Sequence, residues 1–228
     1  MKVHYWVQGI PSKMGKELIR KHHYSHSCHN GPTCFGLWRM VTEPVGEGER
    51  SVSKCVGVIA FATPCSENVR ASVFGPDLKD CVTELHRMWI DDDQEHGIAS
   101  WFISQAIKQL RDKNPMIRGI ISFADTTEGH RGTVYQAANF MYCGTTGKAT
   151  FYRDERGALR HPRQNGVNIT KDMAAERGWK PERRDAKHRY FYLAAKGGAR
   201  KWFMDRLRLT TEPYPPPLGR MSSGEPPR

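Results

Sequence analysis

The chain has 228 residues, 38% of them hydrophobic, with 35 Lys and Arg against 24 Asp and Glu, a formal charge of +11. That apolar content supports a real core, and no apolar run approaches the ~20 residues of a membrane helix, which excludes a helical membrane protein. The charge excess is dense from Arg153 to Arg208 and favours a polyanionic partner, although charge that only keeps a basic protein soluble reads the same way.

In chain order, the N-terminus MKVHYWVQG has no apolar signal region behind its lysine, so a cytoplasmic protein is expected. Val3–Gln8 reads as a strand, and a helix follows from Ser12 to about Lys21. FGLWRMV (Phe35–Val41) and CVGVIAFA (Cys55–Ala62) are strand-like and form a hairpin around a long Gly/Glu-rich loop, TEPVGEGERSVSK. CVTELHRMWI (Cys81–Ile90) is a strand, with a helix from Ile98 to about Lys113 behind it. IRGIISFAD (Ile117–Asp125) is a buried strand, Thr133–Met141 a short helix ending at Gly144, and His188–Ala195 a late strand. EPYPPPLGRMSSGEPPR has too much Pro and too little apolar content to fold, so residues 210–228 are expected to be a disordered tail.

This order is that of a mixed α/β sheet. The strand-loop-helix units at 82–113 and 117–141 should be parallel neighbours, and ligands sit at the carboxyl edge of such strands. The six cysteines, at 28, 34, 55, 65, 81 and 143, show no CxxC spacing and read as reduced structural thiols.

Several residues carry candidate chemistry. Gln94-Glu95-His96-Gly97-Ile98-Ala99 lies between a strand and a helix, where unpaired amides and the helix dipole can hold a phosphate or carboxylate; an ordinary helix start with small packing residues is the plainer reading. Arg87 on the preceding strand needs an anion, which is either a bound group or Asp91, Asp92 or Asp93. Ser100 at the helix start is the hydrogen-bonding companion expected for Arg87. Asp125 ends a strand at the ligand edge and is a candidate base, metal ligand or N-cap, while Tyr135 on the helix that follows reads as a core residue. KHHYSHSCHN gathers His22, His23, Tyr24, His26, Cys28 and His29 without zinc-finger spacing, and a loop that touches nucleic-acid phosphate has the same composition.

The Gln94–Ala99 segment resembles the pyrophosphate loop of the GNAT acyltransferases, and GTVYQAANFMYCG resembles their later Tyr-containing helix. More specifically, KHHYSH, ELHRMWI, GIASWFISQAI and FADTTEGHRGTVYQAANF together resemble the Mom family of Mu-like bacteriophages. The resemblance runs from about Lys21 to Ala195.

It implies a GNAT-like α/β fold with a mixed, mostly antiparallel sheet flanked by helices. One catalytic domain over residues 1–209 would carry a basic insertion around 153–187. The implied activity is conversion of DNA adenine to its N6-carbamoylmethyl derivative, which protects phage DNA from restriction in the host bacterial cytoplasm. Asp125, Tyr135 and Ser100 are the implied catalytic residues, and Arg87, Gln94, Gly97 and Ala99 would hold the donor. Iron is the implied metal, on His23, Tyr24 and Asp125 as a hard N/O set. Carbamoylmethyl has a nitrogen that acetyl lacks and is isomeric with glycyl, so glycyl-tRNA matches the atoms of the donor, with an acyl-CoA as the other candidate. DNA is the expected partner, tRNA a further one, no membrane contact is expected, and a homodimer stays open. The alternatives are a CoA-dependent N-acetyltransferase of a protein or small amine, and a non-catalytic DNA-binding protein on the same scaffold.

Overall fold

A computed structural model of the chain describes residues 3–46, 48–64, 66–164 and 167–216. It opens with β1 (Tyr5–Ile10), α1 (Ser12–His22), β2 (Thr33–Val45) and β3 (Gly48–Ala62). Then come α2 (Glu67–Phe74), a 3-10 turn (Pro76–Cys81), β4 (Val82–Ile90), α3 (Ile98–Lys113), β5 (Gly119–Asp125), α4 (Thr133–Ala137) and β6 (Met141–Thr145). The last part holds β7 (Ala149–Arg153), the short β8 (Leu159–Arg160), β9 (Arg163–Gln164) and β10 (Val167–Asn168), α5 (Lys171–Glu176), β11 (Lys180–Arg184), β12 (Lys187–Leu193) and α6 (Gly198–Met204).

Seven strands form the main sheet in the order β1-β2-β3-β4-β5-β12-β6. Every pairing in it is antiparallel except β4 with β5, the two units expected to run parallel. The sheet is therefore mixed and mostly antiparallel, with helices on both faces.

Amphipathic spacing decides the layers. On α3, Phe102, Ile103, Ala106, Ile107 and Leu110 recur at helical intervals and pack on Phe35, Leu37, Ile59, Phe61, Leu85 and Ile120. On the opposite face α1 buries Ile19 against Cys34, Val58 and Ala60. Gly15 permits that approach, because a Cβ there would stand 2.4 Å from the Cys34 sulfur. Farther along the same face, Val73 and Phe74 of α2 meet Phe191 and Phe203.

The hairpin differs from expectation. Its long loop is absent, since β2 and β3 pair continuously to Val45↔Gly48 around Gly46, which has φ 60°. Gly and Glu were read as loop residues, but a two-sided ribbon whose side chains are largely solvated needs only its backbone ladder. The helix expected through Met141 also stops early. Asn139, with φ 60°, ends it, and Met141 begins a strand on β12.

The segment after α6 closes the sheet edge. Glu212 N–H donates to the Tyr142 carbonyl at 2.9 Å, and the Tyr214 hydroxyl to the Phe140 carbonyl at 2.8 Å. The expected tail is thus held on β6 as far as Tyr214, and its residues 217–228 lie outside the described residues.

Within the expected basic insertion, β8, β7 and β11 make a three-stranded sheet with α5 packed on it around Tyr152, Ile169 and Ala174. Among the described residues no helix is long and apolar enough to cross a membrane.

Candidate active site at the divergence of two strands

β4 and β5 pair only from Val82↔Gly119 to Glu84↔Ile121 and then separate. At the point of divergence the Ser122 hydroxyl donates to the Leu85 carbonyl, 2.9 Å, replacing a ladder bond. On its other side β4 carries a bulge: Phe61 pairs with Leu85 and Ala60 with Arg87, leaving His86 as the extra residue. A bulge re-aims the side chains beside it.

Arg87 is aimed at the loop that follows α1. Its Nε donates to Ser25 Oγ at 2.9 Å and to the Ser27 carbonyl at 3.2 Å, while another guanidinium nitrogen donates to the His86 carbonyl at 2.7 Å. The expected companion, Ser100, instead donates to the Gly97 carbonyl at 3.0 Å, because its place in the first turn of α3 keeps its hydroxyl within that turn. The alternative acidic partners are also engaged elsewhere: Asp93 pairs with Arg39 at 2.8 Å and Asp91 with Lys54 at 3.5 Å. Arg87 makes no ion pair among the described residues.

Ser25 links Arg87 to His23. The Ser25 amide donates to His23 Nδ1 at 3.1 Å, so that nitrogen carries no proton and the proton sits on Nε2. The Ser25 hydroxyl, 2.9 Å from the same nitrogen, donates to it and keeps its lone pairs for Arg87. Burial, then the positive charge of Arg87, lowers the His23 pKa to about 3, so its imidazole is neutral at pH 7.

Tyr24 stacks at a tilt on His23 with ring centroids 4.3 Å apart and meets His130 at 5.3 Å. Burial and the nearby Asp125 carboxylate push its phenol up to about 12. Tyr135 reaches the divergence from α4, with its hydroxyl against Ser122 and its ring beside Phe140 and Tyr190. Burial raises its pKa too, so it stays a protonated hydroxyl. His86 Nδ1 donates to the Glu84 carboxylate at 3.2 Å, and burial lowers its pKa despite that carboxylate.

Asp125 is buried at the end of β5. It accepts from Arg184 at 3.2 Å, Lys187 at 3.0 Å and the Thr127 amide at 3.1 Å, so it is the N-cap of the next turn and the centre of an ion cluster. Burial alone would raise its pKa, but the hydrogen bonds and charges of Lys187 and Arg184 outweigh it and hold the carboxyl below its ordinary range. Arg184 also donates to Glu128 at 2.7 Å.

Of the residues implied for iron, Asp125 and His23 are each engaged by protein groups as arranged. The carboxylate is held by two cations, and His23 Nδ1 is occupied by Ser25.

The Gln94–Ala99 loop forms a separate corner. Gly97 caps α3 in the left-handed conformation, φ 84°, and Ala99 and Ser100 fall in the first turn. The Gln94 side chain folds back to β1 and β2, accepting from the Tyr5 hydroxyl at 3.2 Å and Arg39 at 3.1 Å.

The structure therefore gathers His23, Tyr24, Arg87, Asp125 and Tyr135 around the strand divergence and leaves Gln94 tied to the neighbouring strands. Sequence reasoning missed Ser25, Ser122 and His130. The signal for Ser25 was present in KHHYSH, where it sits among the imidazoles, but nothing local shows that it meets Arg87.

A model of the Mom protein family matches residues 4–216. The methylcarbamoylase mom of Escherichia phage Mu is 44% identical over 148 residues, 64% of this chain, and the chain spans 56% of that protein's length. Among solved structures, a Bacillus subtilis acetyltransferase in complex with CoA is similar with a TM-score of 0.42 and 12% identity, covering 84% of this chain and 99% of that one. An Acinetobacter baylyi acetyltransferase gives 0.45 and 10%, covering 85% and 94%.

Proposed function

We propose that this chain, which belongs to the Mom protein family, is a transferase that places a carbamoylmethyl group on N6 of adenine in DNA. The observation that carries the reading is spatial. Blocks far apart in sequence, KHHYSH, ELHRMWI and FADTTEGHRG, meet at one strand edge through Ser25–Arg87 and Tyr24–His130, and Tyr135 of TVYQAANF stands beside Ser122 on the adjoining strand.

The protonation states suit transfer to a weak nucleophile. Adenine N6 has its lone pair delocalised into the ring, and in duplex DNA the base must be extruded before a protein can reach it. In our reading Arg87, positioned by Ser25 and free of a carboxylate, stabilises negative charge that develops on the donor. Tyr135, kept protonated by burial, gives a proton to the leaving group. Neutral His23 holds Ser25, and through it Arg87, in place. A glycyl donor fits the atom count of the product once rearranged, whereas acetyl-CoA lacks the nitrogen. No step is assigned to a metal.

The test is expression in a bacterium followed by digestion of genomic DNA to nucleosides and mass analysis. The expected product is an N6-substituted deoxyadenosine carrying one additional nitrogen. Acetylated adenine would point to an acyl-CoA donor, and unmodified nucleosides from cells with folded protein would overturn the reading.

A further inference from the structure

A polar cavity lies between α2, β6, β12 and the segment that follows α6. It is open to solvent, has a volume of about 650 Å³ and is lined by Ser72, Thr145, Thr210, Arg189, Arg208 and Glu212, among others. Its two arginines, like Arg87, have no carboxylate partner among the described residues. Arg39, Arg70, Arg153, Arg160 and Arg184 all pair with carboxylates. Arg189 donates only to the Cys143 carbonyl, at 3.2 and 3.0 Å, and the Arg208 guanidinium lies over Gly75; neither makes an ion pair among the described residues.

The register ties this cavity to the candidate active site. Lys187 lies opposite Asp125 and Arg189 opposite Phe123, so on alternating strands all four share one face. Arg189, in the cavity, and Lys187, on Asp125, thus stand two residues apart on one face of β12. The Thr145 and Thr210 hydroxyls supply further donors in the cavity, whereas the Ser72 hydroxyl donates to the Val69 carbonyl at 2.9 Å, and Glu212 is the cavity's one opposing charge.

We infer that this cavity is a phosphate-binding subsite, built by Arg189 and Arg208 with the surrounding hydroxyls, that holds a backbone phosphate of DNA beside the base undergoing modification. Two guanidinium groups without carboxylate partners that line one cavity with hydroxyl groups supply the kind of donors that phosphate oxygens take. Contact with the phosphate positions the duplex and carries no sequence information. The inference rests on the DNA reading for its source of phosphate; a free nucleotide or inorganic phosphate has the same chemistry.

The experiment compares the wild-type protein with Arg189→Gln/Arg208→Gln, Arg208→Gln alone and Glu212→Gln, using a DNA duplex over a salt titration and inorganic pyrophosphate by calorimetry. The double variant is expected to lose about tenfold or more in DNA affinity for any sequence and to flatten the salt slope by about one. Arg208 is exposed, so its single variant, expected to show a smaller loss of the same sign, keeps the test open if the double variant does not fold. Glu212→Gln should tighten binding, an effect that loss of a merely structural residue does not give. Wild-type DNA binding with unchanged affinity and slope in the arginine variants overturns the subsite and leaves the DNA reading standing. Pyrophosphate binding that the arginine variants lose, in a protein that ignores DNA, upholds the subsite with a free phosphate as ligand and overturns the DNA reading. Failure to bind either probe overturns both.

Discussion

Arg87 on β4 donates to Ser25 Oγ at 2.9 Å across 62 residues of sequence. One contact thereby joins the histidine-rich loop to the bulged strand. A hydrogen bond to a charged group contributes about 1.5–3 kcal/mol, so Ser25→Ala should lower DNA modification by roughly 10- to 100-fold if Arg87 acts on the transition state. Nucleoside mass analysis and thermal unfolding of the same sample check this. Full modification by the Ser25→Ala protein removes the link from the mechanism.

Tyr135→Phe removes only the hydroxyl that meets Ser122 and leaves the ring on Phe140 and Tyr190. The fold should survive, while loss of a proton donor typically costs ~10²–10⁴-fold in rate. Circular dichroism and single-turnover modification of a DNA substrate separate the two. A normal rate makes Tyr135 a packing residue.

Asp125→Asn leaves Arg184 and Lys187 facing a neutral amide in a buried position. Stability should fall by about 3 kcal/mol, the low end for removing one partner of a buried pair, because Arg184 keeps Glu128. Denaturant unfolding measures it. A midpoint unchanged from wild type would show that the cluster does not hold the strand end.

The His23 imidazole ties stability to acid. Its folded pKa is depressed from 6.5 to about 3, so below 6.5 the unfolded chain takes up a proton that the folded chain refuses. Stability should therefore decline as pH falls from 6.5 towards 3, with no contribution from this residue above that window. His23→Gln should flatten the decline in unfolding midpoints across the window, though not abolish it, since His86 shifts in the same direction. Parallel curves for the two proteins would rule out a buried neutral His23.

Iron, which the family resemblance implies, has to compete with cations for Asp125. Lys187→Gln frees one carboxylate contact at 3.0 Å and should raise the affinity for ferrous ion, measured by elemental analysis after equilibrium dialysis. Equal or absent iron in both proteins counts against Asp125 as a ligand.

The sequence by itself determined the layers and the chemistry available to them. Helical spacing in Ile98–Lys113 sets the face that α3 buries, and the apolar runs at 82–90 and 119–125 could only be neighbouring core strands. The block pattern was also legible, since short motifs such as KHHYSH and FADTTEGHRG carry residue types and spacing that survive in linear form. Strand ends were less legible where hairpin residues are solvated on both faces, because backbone pairing leaves little trace in side-chain hydropathy there. Only the tertiary structure decided the partners. It chose Ser25 over Ser100 for Arg87, and it gave Asp125 to Arg184 and Lys187, residues 59 and 62 positions later. Such choices depend on the β4 bulge, on the separation of β4 from β5 and on the antiparallel return of β12, all of which are long-range geometry. A residue's type fixes what it can donate or accept, but the field that sets its protonation state comes from groups the chain brings in from elsewhere.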